Sequence, residues 1–301
     1  MSEVVLLPGL IGYILTGLTI VHALMDAKKN RIQRILILPT IFVFAAFLEV
    51  MGVITGLFSY ATELIMILDR VPLSITLSWV GIIYSSMIIT ERLKLSLWQR
   101  ILTTSLIALC LDWGMDPIAV ESGAWSFGGG EYFNVPAVNF FGWLFIPLAY
   151  LIPYGLTWDK VSKKLKILNI TEVDLRNSPI RKLYTVFFVV PFGLGILMLL
   201  GFFTRIPLFY NLNSVILVIW AIFTIVWACG IVFWKKKTLK KTNWFDLIPP
   251  ISLLIISYYY VISSFIIGQV MLGLLMLIAA LPYLLVFVFS LRKNRFIEES
   301  I

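Results

Sequence analysis

The chain has 301 residues, of which 60% are hydrophobic and only 13% charged, and its mean hydropathy is +0.97. Soluble domains carry about a quarter charged residues, so the composition excludes a soluble globular protein and points to a polytopic membrane protein. The formal charge of +8 sits in membrane flanks, which predicts anionic lipid head groups as partners and no nucleic acid.

A membrane-spanning helix needs about 20 apolar residues. Nine stretches qualify, at about 7–25, 35–57, 72–90, 101–120, 137–157, 183–203, 213–234, 246–267 and 269–291. The first starts too near the N-terminus, without a basic leading region, to read as a cleaved signal. Only Gly268-Gln269 separates the last two, which predicts a tight helical hairpin. Lysine and arginine fall in the connections 26–34, 91–100, 158–182 and 235–245 and in the tail 292–301; the alternate connections together hold only Arg70 and Arg205. That alternation puts the N-terminus outside and the C-terminus in the cytoplasm of a multi-pass cell-membrane protein.

The expected fold is all-α, a single transmembrane domain of about nine helices. It divides into a five-helix catalytic half (1–157), a cytoplasmic loop (158–182) and a four-helix scaffold half (183–301). No internal repeat is visible, unlike many transporters. Pro147, Pro153 and Pro249-Pro250 are expected to bend or re-aim their helices. Cys110 and Cys229 lie within spans and read as small packing residues, without a disulfide and without a metal site. His22, the single histidine, ends the first span and reads as structural.

Most acids lie in loops, but Glu49, Asp112 and Asp116 lie inside spans. Counting about 1.5 Å per residue from the cytoplasmic end puts all three between the midplane and the outer interface. Asp112 and Asp116 are four residues apart and share a helix face. An ionised carboxylate in hydrocarbon costs several kcal/mol, so such groups face the bundle interior and mark function. Buried in the protonated form, one becomes a general acid. The bland alternative is an aspartate that only accepts hydrogen bonds from tryptophans, or from backbone around a break at Pro117.

After Asp116 comes "ESGAWSFGGGEYFNVP", with Trp125, Phe127, Tyr132 and Phe133 among glycines and no lysine or arginine. Three consecutive glycines without a preceding strand do not match a phosphate-binding loop. An interfacial aromatic belt accounts for the rings. A re-entrant, aromatic-lined lid over an apolar substrate accounts in addition for Asn139 and Trp143 at the start of the next span.

"LEVMGVITG" with Tyr60, "VPLSITLSW" and "LDWGMDPIAVESGAWSF…GEYFNVPAVNFFGW" together resemble the membrane carotenoid biosynthesis protein family, of the bisanhydrobacterioruberin hydratase and carotenoid 1,2-hydratase type. The likeness covers roughly residues 45–145. It implies addition of water to a terminal C=C of a linear carotenoid or other polyisoprenoid, in the company of other carotenoid-biosynthesis enzymes. Protonation at the CH carbon gives a tertiary carbocation, which water captures; no metal or organic cofactor is required. On physical grounds the catalytic candidates are Asp112, Asp116 and Glu49. Trp79, Trp125, Tyr132, Asn139, Trp143 and Tyr60 are the substrate-binding candidates, the tryptophan faces stabilising the cation. Other readings stay open: a lycopene-cyclase-like end-group cyclase, a proton-coupled lipid or isoprenoid transporter, and a structural subunit of a pigment-synthesising complex.

Overall fold

A computed structural model describes residues 3–26, 31–167, 212–236 and 244–298, together with Gly193, Gly195 and Leu239. Nine α-helices are described: α1 (Glu3–Met25), α2 (Arg31–Ile54), α3 (Leu73–Arg92), α4 (Leu97–Glu121), α5 (Ala137–Ile167), α6 (Ser214–Lys235), α7 (Ile248–Ile266), α8 (Val270–Ala279) and α9 (Leu281–Glu298). Among the described residues seven helical stretches are long and apolar enough to cross a membrane, and Gly9–Met25 is a shorter apolar one. The expected span at 183–203 lies outside the described residues except for Gly193 and Gly195. So does most of the 158–182 connection, although α5 runs into it as far as Ile167.

The bundle is built around α3 and α4. Of their spans 78% and 94% is buried, against 33% for α6. α3 packs on α1, α2 and α4, while α4 also touches α5, α6, α7 and α8. Their sequences explain this. Small residues let helices approach where no hydrophobic effect drives them together, and a Cβ at Gly81 would collide with the Leu15 side chain of α1. α4 starts with a capping box, in which Ser96 and Gln99 satisfy each other's backbone donors,.

Several expectations change in detail. α4 does not break at Pro117; it continues to Glu121. A proline has no N–H to give the carbonyl four residues back, here Trp113, and the Tyr132 hydroxyl donates to that oxygen instead at 3.0 Å. Pro249 and Pro250 occupy the first turn of α7 rather than bending it, a position that needs no N–H. Gly268, at φ +80, turns the expected hairpin between α7 and α8. The ninth span is two helices, because Pro282 stands just inside α9 and the chain breaks at Ala280,.

Charge at the basic face also differs from a simple lipid-facing flank. Arg34 is buried and pairs with Asp26 at 2.7 Å and with Glu91 at 2.5 Å. Arg92 is buried too, donating to Asp246 O at 2.7 Å and to Ser290 Oγ at 3.1 Å. His22 is structural here: Nδ1 meets Tyr84 OH at 2.9 Å, and Nε2 lies 3.7 Å from Asp246. Cys110 and Cys229 are free thiols.

At the opposite face the α2–α3 and α4–α5 connections meet. Strand β1 (Ser59–Tyr60) pairs antiparallel with β4 (Trp125–Ser126), Tyr60 opposite Trp125. Between them in sequence, β2 (Met66–Ile67) and β3 (Val71–Pro72) form a small hairpin. Leu68 and Asp69, both with positive φ, occupy its turn, as the twist of such hairpins demands.

Candidate active site

Glu49, Asp112 and Asp116 all lie in the interior, none more than 4% exposed. α4 presents both aspartates to α5, where Asn139 sits in the first turn. Its Nδ2 donates to Asp116 Oδ2 at 2.5 Å and to Asp112 Oδ2 at 3.3 Å, so one amide spans the pair. Trp143, four residues on along the same face of α5, donates its Nε1–H to Asp116 Oδ2 at 3.2 Å.

Glu49 reaches the site from α2. It accepts from Trp79 Nε1 on α3 at 2.5 Å and from Tyr60 OH in β1 at 2.5 Å. The indoles that hold the two acidic groups touch each other: the Trp79 and Trp143 centroids are 4.2 Å apart at 32°. The three acids therefore form one constellation, with a tryptophan pair between Glu49 and the aspartates.

The outer loops close over it. Tyr60 packs edge-on against Trp125, its strand partner, at 5.9 Å, and Phe58 packs against Phe127 at 6.0 Å. Burial and the adjacent Glu49 carboxyl push the Tyr60 phenol well above its ordinary value, so it remains a donor,. Tyr132 faces the α4 backbone rather than an acid: it donates to Trp113 O and packs against Trp113 and Phe140. Glu131 accepts from the Ala137 backbone N–H at 3.3 Å, which anchors the start of α5 under the loop.

All nine residues singled out from the sequence thus lie in this one region, directly or one contact removed. The helices after residue 212 contribute walls that sequence reasoning treated as scaffold. Trp220 of α6 packs edge-on against Trp113 at 5.3 Å and against Phe141 at 4.4 Å. Tyr260 of α7 is buried within electrostatic reach of both aspartates. A lone aromatic in a uniformly apolar helix leaves no periodic signal, and only the fold reveals such residues.

Among the described residues no three of His, Cys, Asp and Glu are grouped as metal ligands would be. The arrangement offers buried carboxyls for proton transfer, indole and phenol donors that orient them, and aromatic faces able to stabilise positive charge. The family described as carotenoid biosynthesis protein matches residues 9–211, more than half of the chain. No curated protein and no solved structure matches it.

Proposed function

Because the chain belongs to the carotenoid biosynthesis protein family, and so has a role in carotenoid biosynthesis, we propose that it is a hydro-lyase adding water to a terminal double bond of a linear carotenoid. The observation that carries this reading is the Asp112–Asp116 pair bridged by one Asn139 amide beside the Trp79–Trp143 stack. Two carboxyls held this close share one proton, since both cannot ionise side by side. That proton goes to the CH carbon of an isopropylidene end; the π bond breaks, a C–H bond forms and a tertiary carbocation remains. The carboxylate left behind and the indole faces stabilise the charge. A water oxygen then bonds to the cation, and its surplus proton returns to the aspartate pair. The balance is C=C plus H2O to a tertiary alcohol, with the acid regenerated.

Glu49 has a supporting place. Held by Tyr60 and Trp79, it puts a third carboxyl on the far side of the tryptophan pair, where it favours the cation. The acids are closed off from solvent, so the polyene end is admitted when the β1–β4 connection moves aside. Tying the lid to Glu49 through Tyr60 makes closure and completion of the site one event. The alternation of basic loops supports an N-terminus outside and a place in the cell membrane.

The test is expression in a host that accumulates an acyclic carotenoid with free isopropylidene ends, followed by mass spectrometry of the extracted lipids. The wild type should add one or two waters. Asp112→Asn and Asp116→Asn should add none while remaining folded in detergent. An unchanged carotenoid mass with the wild type overturns the reading, and full conversion by both variants removes the aspartates from the chemistry.

A further inference from the structure

Of the buried serines and threonines on α3 and α4, Thr90, Thr104 and Ser105 return a hydrogen bond to their own helix, at Met87 O, Arg100 O and Ile101 O, whereas Thr76, Ser85, Ser86 and Thr103 have no hydrogen-bond partner among the described residues. Ser86 Oγ is thus unpartnered, and the residue is fully buried. Asp112 Oδ1 is in the same condition, although Oδ2 of that carboxyl is held by Asn139.

Two of the unpartnered groups, Ser86 and Asp112, stand on one line. Thr90 Oγ1 meets Thr104 Oγ1 at 2.7 Å, which fixes the antiparallel register of α3 against α4 at that level. Ser86 is four residues from Thr90 on the same face of α3. Ala108 and Asp112 follow Thr104 at the same interval on α4. The rungs are then Thr90 with Thr104, Ser86 with Ala108, and Asp112 above them, each about 6 Å from the next at 1.5 Å per residue. One water with a hydrogen bond on either side, each about 2.8 Å, spans that step. Ala108, with a single side-chain carbon, obstructs the middle rung least. At the lower end Thr104 lines a cleft with Glu91, Arg100 and Tyr154, on the lysine- and arginine-rich face.

We propose that Thr104, Ser86 and Asp112 mark the route by which water reaches the aspartate pair from the basic face of the membrane. That this water is a reactant rests on the hydration reading; the route itself does not. The two reactants then approach from opposite ends, the polyene under the β1–β4 connection and water along the α3–α4 seam. Isolated hydroxyls one turn apart pass single molecules, which leaves the aromatic chamber dry enough for a carbocation to form.

The route is tested by thiol accessibility. Thr104→Cys, Ala108→Cys and Ser86→Cys, with Ile88→Cys on the opposite face of α3 as the control, are made singly in a Cys110→Ser, Cys229→Ser background. Sealed vesicles of each orientation are exposed, without chloride, to silver ion, a thiol-reactive cation close to water in size. Blocked thiols are then counted by mass after denaturation. Positions 104, 108 and 86 should react from the basic face, and about tenfold or more faster than position 88, since an apolar burial that lifts a thiol by one pKa unit costs tenfold in thiolate. Reaction at 86 and 108 no faster than at 88, or faster only from the opposite face, overturns the route. If the thiols react and the carotenoid gains no water, the route stands and the hydration reading falls. If the carotenoid gains water while 86 and 108 stay unreacted, the reverse holds.

Discussion

Tyr132→Phe isolates the device that carries α4 through its proline. The substitution keeps the ring and its packing against Trp113 and Phe140 and removes one hydroxyl. Trp113 O then loses its 3.0 Å donor, and residue 117, a proline, has no N–H to replace it. A buried carbonyl left without a partner costs about 1–3 kcal/mol, which thermal or denaturant unfolding in detergent resolves. The reasoning makes a sharper demand in a double-mutant cycle. Alanine at position 117 restores the N–H that a helix offers the residue four back, so Tyr132→Phe should cost about 1–2 kcal/mol less in a Pro117→Ala background. Carotenoid conversion should follow the same pattern, because Trp113 lies on the turn between Asp112 and Asp116. Equal costs in the two backgrounds would refute the account of Tyr132 as a substitute for the missing donor.

Further outcomes follow from the same geometry. Asn139→Leu, nearly isosteric, removes the bridge across the aspartates; a donor to a charged acceptor contributes about 1.5–3 kcal/mol, so product per folded protein should fall about ten- to a hundredfold, and unchanged conversion would show that the bridge is idle. Gly114→Ala puts a methyl 2.5 Å from Met276 Sδ and 3.0 Å from its Cγ; crowding of this kind costs about 1–3 kcal/mol, and melting should show less of it in a Met276→Ala background. Glu63 gives a pH signature: burial lifts its carboxyl above the ordinary 4.5 and outweighs the hydrogen bond that the Ser74 hydroxyl donates between its two oxygens. The folded state therefore holds that proton more tightly, and the associated stability is full below pH 4.5 and lost as pH rises through the lifted value. Melting curves of the wild type should decline with pH over that window and those of Glu63→Gln should decline less; parallel profiles would count against it.

The site was legible because membranes make acids conspicuous. Depth counting put Glu49, Asp112 and Asp116 at one level, the reading of an aromatic lid pointed to Asn139 and Trp143, cation stabilisation to Trp79, and the family resemblance to Tyr60. What stayed hidden had no periodic or compositional mark. A two-residue strand such as Ser59–Tyr60 is too short to alternate, so its pairing with Trp125–Ser126 is purely a tertiary fact. Trp220 and Tyr260 are ordinary residues of apolar helices until the bundle closes. The break at Ala280 had a signal in Pro282, overridden by the length of the apolar run around it. Arg34 and Arg92 belong to the loop charges that set topology, and a charge count cannot tell a lipid-facing arginine from one that is paired and buried.

Arg92 also bears on how the chain is made. Its acceptors, Asp246 O and Ser290 Oγ, come 154 and 198 residues later in sequence, and His22 near the start of the chain likewise meets Asp246. Synthesis runs from the N-terminus, so α3 is inserted with a guanidinium whose partners have not yet left the ribosome. A chain that stops before Asp246 leaves that cation without either acceptor, and one that stops before α9 leaves it without Ser290 Oγ. The end of α3 thus depends on segments made much later, and a truncated product keeps a buried guanidinium short of its acceptors.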